Sequence, residues 1–86
     1  MYEREGYKIY PSTRKGKKYD VYKDNKYIVS FGASGMQHYK DLLGHYKNLD
    51  HNDIKRKNAF NSRFKRLIDK HDKNSGIYWS SKYLWT

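Results

Sequence analysis

Five cations fall on one stripe when residues 51–70 are wound as a helix. Lys55, Arg56, Arg63, Arg66 and Lys70 lie between roughly 100° and 200° from Ile54. A row of Lys and Arg suits phosphate neutralisation: binding releases the counterions condensed on a nucleic acid and gives salt-dependent affinity. Only Asp53 and Asp69 interrupt the run. Contacts to phosphates are expected ahead of base readout. A second cluster, Arg14, Lys15, Lys17 and Lys18, sits in a polar turn and would extend this surface if the fold brought the two together. The plainer alternative is a solvated face opposite a core stripe, with turn lysines that protect a sheet edge.

Other chemistry is thin. Asp50-His51, Asn61 and His71-Asp72-Lys73 loosely resemble the order of an HNH nuclease, in which His activates water beside a metal ion. That motif places a hairpin between its first His and its helix, whereas helical periodicity runs unbroken here. Gly76-Ile77-Tyr78 matches the first half of a GIY-YIG motif, but that domain needs tens of further residues and ten follow Gly76. The four His show no ligand spacing, and the absence of Cys removes thiol catalysis, disulfides and Cys-based zinc sites. No phosphate-binding glycine loop or catalytic triad order is present. The sequence therefore predicts no enzyme, no cofactor, no metal and no small-molecule substrate.

The positioning elements come from 86 residues, enough for one domain spanning 1–86. Lys and Arg number 19 against 9 Asp and Glu, a net charge of +10. Leu, Ile, Val and Phe supply only about 17% of the chain, which with this charge approaches a disordered composition. Ten Tyr and two Trp oppose that reading, since each ring buries roughly 150–250 Å². Rings and cations together would suit stacking on single strands, but with so few aliphatics most rings are expected in the core. No stretch approaches the roughly 18 apolar residues of a membrane span. Met1 to Glu5 has no hydrophobic segment, so no secretory signal is expected.

Tyr7 to Pro11 alternates as an edge strand, and Tyr19–Lys23 and Tyr27–Phe31 read as a hairpin around a three-residue loop, Asp24-Asn25-Lys26. That loop pairs Tyr22 with Ile28, Val21 with Val29 and Tyr19 with Phe31. It puts Tyr19, Val21, Tyr27, Val29 and Phe31 on one face. Met36, Tyr39, Leu42 and Leu43 suggest a short helix ended by Gly44. Asp50 reads as the N-cap of the basic helix, with Asp53 in its first turn and Phe60, Phe64, Leu67 and Ile68 as its apolar stripe. The ending, with Ile77, Tyr78, Trp79, Tyr83, Leu84 and Trp85, is expected to dock on the core as a short helix.

Phe31-Gly32, Asp50-His51-Asn52-Asp53, Arg56, Arg63-Phe64 and Tyr78 to Trp85 together give an FG after a hairpin, a D-H-N-D-x-x-R helix start and a W-S-x-x-x-x-W end. In this order the chain resembles a family of small basic proteins of large double-stranded DNA viruses of algae and amoebae, with a similar pattern in some tailed phages. The phage-like pattern carries Arg-His and a Cys after the helix, where this chain has Lys70-His71 and no Cys. The resemblance implies a virion, or the cytoplasm or nucleus of an infected host cell, and transfers no functional residue. The expected fold is α+β: a three-stranded antiparallel sheet, a short helix, a basic amphipathic helix and an aromatic C-terminal segment packed on the sheet. The expected role is a non-enzymatic virion component, a minor capsid or internal protein. It would dock on capsid proteins through Tyr78, Trp79, Tyr83 and Trp85, and touch nucleic acid or another anionic surface through Lys55, Arg56, Arg63, Arg66, Lys70 and the 14–18 cluster. Self-association is compatible with this. The alternative is a free, sequence-nonspecific DNA- or RNA-binding protein of genome packaging or regulation.

Overall fold

The computed structural model describes residues 2–86; Met1, at the head of the segment read for a signal, lies outside them. Four strands, β1 (Tyr2–Arg4), β2 (Tyr7–Pro11), β3 (Lys17–Lys23) and β4 (Lys26–Ala33), form an antiparallel meander in sequence order. A 3-10 turn at Lys47–Leu49 follows, then α1 (Ile54–Arg63), α2 (Lys65–Asp69) and α3 (Gly76–Tyr83). The sheet thus has four strands rather than three. The extra one is β1, three exposed residues joined to β2 through Glu5-Gly6, both at positive φ, as a tight hairpin turn needs. β2 is therefore not an edge strand along its first half. Pro11 still costs no hydrogen bond to β1, which pairs only with Tyr7 to Ile9.

The β3–β4 turn is shorter than expected. Asp24 and Asn25, at φ 52° and 65°, make a two-residue turn that pairs Lys23 with Lys26 and Tyr22 with Tyr27. A bulge between Val21 and Tyr22 then restores the expected Val21–Val29 and Tyr19–Phe31 pairs. Tyr27 consequently leaves the core face and joins Tyr22 on the opposite one.

Ile9, Tyr19, Val21 and Phe31 bury against Tyr78, Trp79, Tyr83 and Leu84 of the C-terminal segment. Tyr19 stacks on Phe31 at 5.3 Å, Tyr7 meets Trp79 at 5.2 Å, and the Trp79 indole donates to the Lys73 carbonyl at 2.8 Å. Gly32 admits this packing. It sits at φ 78°, and a Cβ there would lie 2.9 Å from Leu84 Cδ1.

No helix forms at Met36–Leu43. Met36 and Leu42, half of the apolar stripe, are exposed, while the polar His38 and Asp41 are each only 1% exposed. Hydrogen bonding overrides periodicity here. Lys40 and Leu42 donate backbone N–H groups to the Leu84 and Tyr83 carbonyls at the open end of α3. Asp41 accepts from the Tyr19 hydroxyl at 2.6 Å and from the Tyr46 and Leu43 amides. Burial raises the Asp41 pKa, but the Tyr19 hydroxyl and these amides outweigh it and hold the carboxyl below its usual range. Lys18 Nζ lies 2.8 Å from His38 Nδ1, and His38 Nε2 lies 2.6 Å from Asp50 Oδ1. The ammonium can only donate, so His38 is neutral with its proton on Nε2, donated to Asp50.

Burial first, and the Lys18 charge second, hold the His38 pKa below its usual 6.5. The unfolded chain therefore binds more protons than the fold below about pH 6.5, and Asp41 acts in the same direction at lower pH. Thermal stability should fall as pH drops from about 6.5 towards 4. A circular-dichroism melt that is unchanged across that range would contradict a neutral buried His38.

Candidate nucleic-acid interface

The basic helix starts later than its periodicity implies. Asp50 is occupied by His38 and by the Asp41 amide, so the cap falls to Asp53, which accepts from the Lys55 and Arg56 amides. Asn52, at φ 55°, turns the chain into it. The helix also does not run straight to residue 70. Phe64, at φ −107° and ψ 12°, divides α1 from α2, although the Phe64-to-Phe60 and Ile68-to-Phe64 hydrogen bonds persist across the bend. No Pro or Gly marks the break, and the two halves have different partners. Phe60 of α1 stacks on Trp85 at 4.4 Å, nearly parallel, and Asn61 donates to the Trp85 carbonyl, whereas α2 packs against α3.

α1 and α2 contain no buried residue, and Ile54 and Leu67 are 53% and 41% exposed. Lys57, Phe60, Asn61, Phe64 and Ile68 turn partly inward. The exposed remainder is rich in cations. Lys55, Arg56, Arg63, Arg66 and Lys70 are all exposed. Two cations lie off the expected stripe: Lys57, whose Nζ rests 4.9 Å over the Tyr39 ring, and Lys65. Lys57 projects into the apolar arc of the wheel, so helical spacing alone could not assign it. Among the described residues, one cation of this segment pairs with a carboxylate, Lys65 with Asp69 at 2.7 Å. Arg56 instead donates to the Gln37 side chain at 3.0 Å, and Arg63 covers Phe64 at 5.3 Å. A groove lined by Arg56, Arg63, Phe60, Phe64 and Trp85 runs along α1.

The second cluster is divided. Lys15 and Lys17 are exposed, and the Gly16 carbonyl accepts from Ser34 in the loop whose Gln37 holds Arg56. This end of the β2–β3 turn and the start of α1 therefore flank one loop. Arg14 turns elsewhere, its guanidinium 3.9 Å over the Tyr27 ring. Lys18 leaves the expected set altogether. It is 1% exposed, with Nζ donating to the Met36 carbonyl at 2.7 Å and to His38, and burial lowers its pKa.

Lys18→Met should cost about 1–3 kcal/mol, because it leaves His38 Nδ1 and the Met36 carbonyl without a donor. It should leave polyanion affinity within about twofold. A loss of affinity without a loss of stability would return Lys18 to the interface.

Tyr78, Trp79 and Tyr83, read from sequence as docking residues, are core residues with 6%, 1% and 3% exposure. Their spacing matches that of a docking segment, but the uncovered face of the sheet takes them in. Trp85 docks within the chain, on Phe60. The nuclease-like residues are likewise spent on packing. Asn61 bonds the Lys57 and Trp85 carbonyls, and His51 lies between Tyr39 and Trp85 at 6.2 and 5.3 Å. Among the described residues no three His, Asp or Glu gather as a metal site, and no helix is long and apolar enough to cross a membrane. Burial first, and the Asp41 carboxylate second, raise the Tyr19 hydroxyl pKa far above its ordinary value, so it stays protonated as a donor.

A sequence family described as a family of unknown function (DUF5754) matches residues 7–64, from β2 through Phe64. No curated protein and no solved structure matches the chain.

Proposed function

The chain belongs to the DUF5754 family of unknown function, and from its own surface we propose that it is a non-enzymatic, sequence-nonspecific nucleic-acid-binding protein. It grips phosphates through α1 and α2. One observation carries this reading: a kinked helical arm that buries no residue holds, through Lys70, seven Lys and Arg, of which only Lys65 is matched by a carboxylate. Such an arrangement adds little to folding stability and keeps its cations free to replace counterions. An anionic membrane is the weaker partner, because Phe60, Phe64 and Ile68 are turned towards the protein, which leaves no continuous apolar face to insert.

The viral setting belongs to the proposal through the sequence resemblance alone, as a virion component or as a packaging protein of the infected cell. The docking half of the virion reading loses its support once Tyr78, Trp79 and Tyr83 are committed to the core. A binder of genomic nucleic acid keeps its support. Two unrelated 20-base-pair duplexes should bind with equal, micromolar or tighter affinity in a fluorescence-anisotropy titration at low salt. Clear preference for one duplex would contradict a phosphate-only grip.

A further inference from the structure

The face of the sheet opposite α3 carries two cross-strand rows, Tyr10–Asp20–Ser30 and Lys8–Tyr22–Tyr27. No helix covers it. Tyr10 and Tyr22 meet edge to face at 5.6 Å, as do Tyr22 and Tyr27 at 5.8 Å, and Tyr10 and Tyr27 remain about 40% exposed. Beside Tyr10 and Tyr22 lies an open depression of about 640 Å³, lined also by Lys8, Pro11, Asp20 and Asn25 among others. Asp20 lines this depression although it is only 4% exposed. Its Oδ1 accepts from Ser12 Oγ at 2.7 Å and Ser30 Oγ at 2.6 Å, and Tyr27 OH backs Ser30 at 2.8 Å. Arg14 Nε stands off from the same oxygen at 3.9 Å. No donor among the described residues reaches Oδ2.

Oδ2 is thus left to solvent on the side of the depression, where a ligand donor can take the place of water. A ligand that fits this lining is flat, lies on the face of one of the perpendicular Tyr10 and Tyr22 rings with its edge to the other, and carries an N–H. The rim is cationic, with Lys8 in the lining, Arg14 over Tyr27 and Lys15 in the adjoining turn, which suits a group attached to phosphate. We propose that this face binds an unpaired nucleobase of a single strand, held between the perpendicular rings of Tyr10 and Tyr22, face to one and edge to the other, with its exocyclic amino group donating to Asp20 Oδ2. The inference deepens the nucleic-acid reading by adding a base-selective site, distinct from the phosphate-gripping helices. Cytosine, adenine and guanine carry the required amino group; thymine and uracil do not.

The test is an anisotropy titration of the full chain at pH 7.5 with labelled dC12, dT12 and a duplex. The wild type should prefer dC12 to dT12 by about fivefold or more. Tyr22→Leu should lose about tenfold in single-strand affinity and leave duplex affinity unchanged. Asp20→Asn keeps an oxygen for Ser12 and Ser30 while presenting an amide N–H where Oδ2 stood, so it should shift preference towards dT12. Because it is nearly isosteric, it decides the matter even if Tyr22→Leu fails to fold. Equal binding of dC12 and dT12 by the wild type, or an Asn variant with unchanged preference, overturns the base site. Absent duplex binding with the dC12 preference intact would overturn the helix reading alone.

Discussion

Replacing Lys55, Arg56, Arg63 and Arg66 together with Gln should weaken duplex binding on the order of a hundredfold at about 100 mM salt. It should flatten the dependence of log affinity on log salt by about 0.9 for each phosphate no longer neutralised. The size of the effect follows from additivity: each exposed cation neutralises its own phosphate, and none of the four is engaged by a carboxylate. The fold should be nearly indifferent. The intramolecular contacts at risk are the exposed Arg56–Gln37 bond and the Arg63–Phe64 contact, and Gln is a good helix former. A thermal melt within a few degrees of wild type would show that affinity, not structure, was removed. An unchanged salt slope in a folded variant would move the interface away from α1 and α2.

The largest effect on stability belongs to Trp79. Trp79→Ala should cost about 3–5 kcal/mol, because the indole is 1% exposed, packs on Tyr7, Tyr78 and Tyr83, and donates to the Lys73 carbonyl. For a domain this small that is most of the total margin. Loss of a cooperative unfolding transition is therefore expected, checked by urea denaturation followed by circular dichroism. Removing residues 77–86 should do the same, since Tyr78, Trp79, Tyr83 and Leu84 form half of the core. A truncated chain that unfolds like the whole would mean that the rings serve a partner instead.

Much of this arrangement is legible in the sequence where local rules and the core agree. Alternation across Tyr19, Val21, Val29 and Phe31 yields the pairing of the central hairpin on the far side of its bulge, and helical spacing yields a helical segment between 54 and 69. The aromatic ending is readable as core because the aliphatic residues alone cannot close one. The remaining features depend on partners distant in sequence. β1 is too short and too polar to show a period, and it exists because Glu5-Gly6 folds it back on β2. The bulge that moves Tyr27 is one inserted residue, which alternation cannot register.

The loop at 36–43 has a helix's apolar spacing, yet its buried members are His38 and Asp41, held by Lys18 and by Tyr19, about twenty residues away. The same network removes Lys18 from the cationic surface, and Lys18 cannot be told from Lys17 by composition. The break at Phe64 leaves no mark in the spacing, and its two halves meet partners distant in sequence, Trp85 and α3. The open face with Tyr10, Tyr22 and Asp20 does leave a trace. All three sit on the even positions of their strands, opposite Ile9 and Val21.

The central claim is that exposed, largely unpaired cations on α1 and α2 grip phosphates. It is tested most directly by the affinity of the wild-type chain for a random-sequence duplex between about 50 and 200 mM salt. Four or more phosphate contacts predict a log–log slope of about −3.5 or steeper, a loss on the order of a hundredfold over that range. A slope near zero, or binding that is already negligible at the lowest salt, would contradict it.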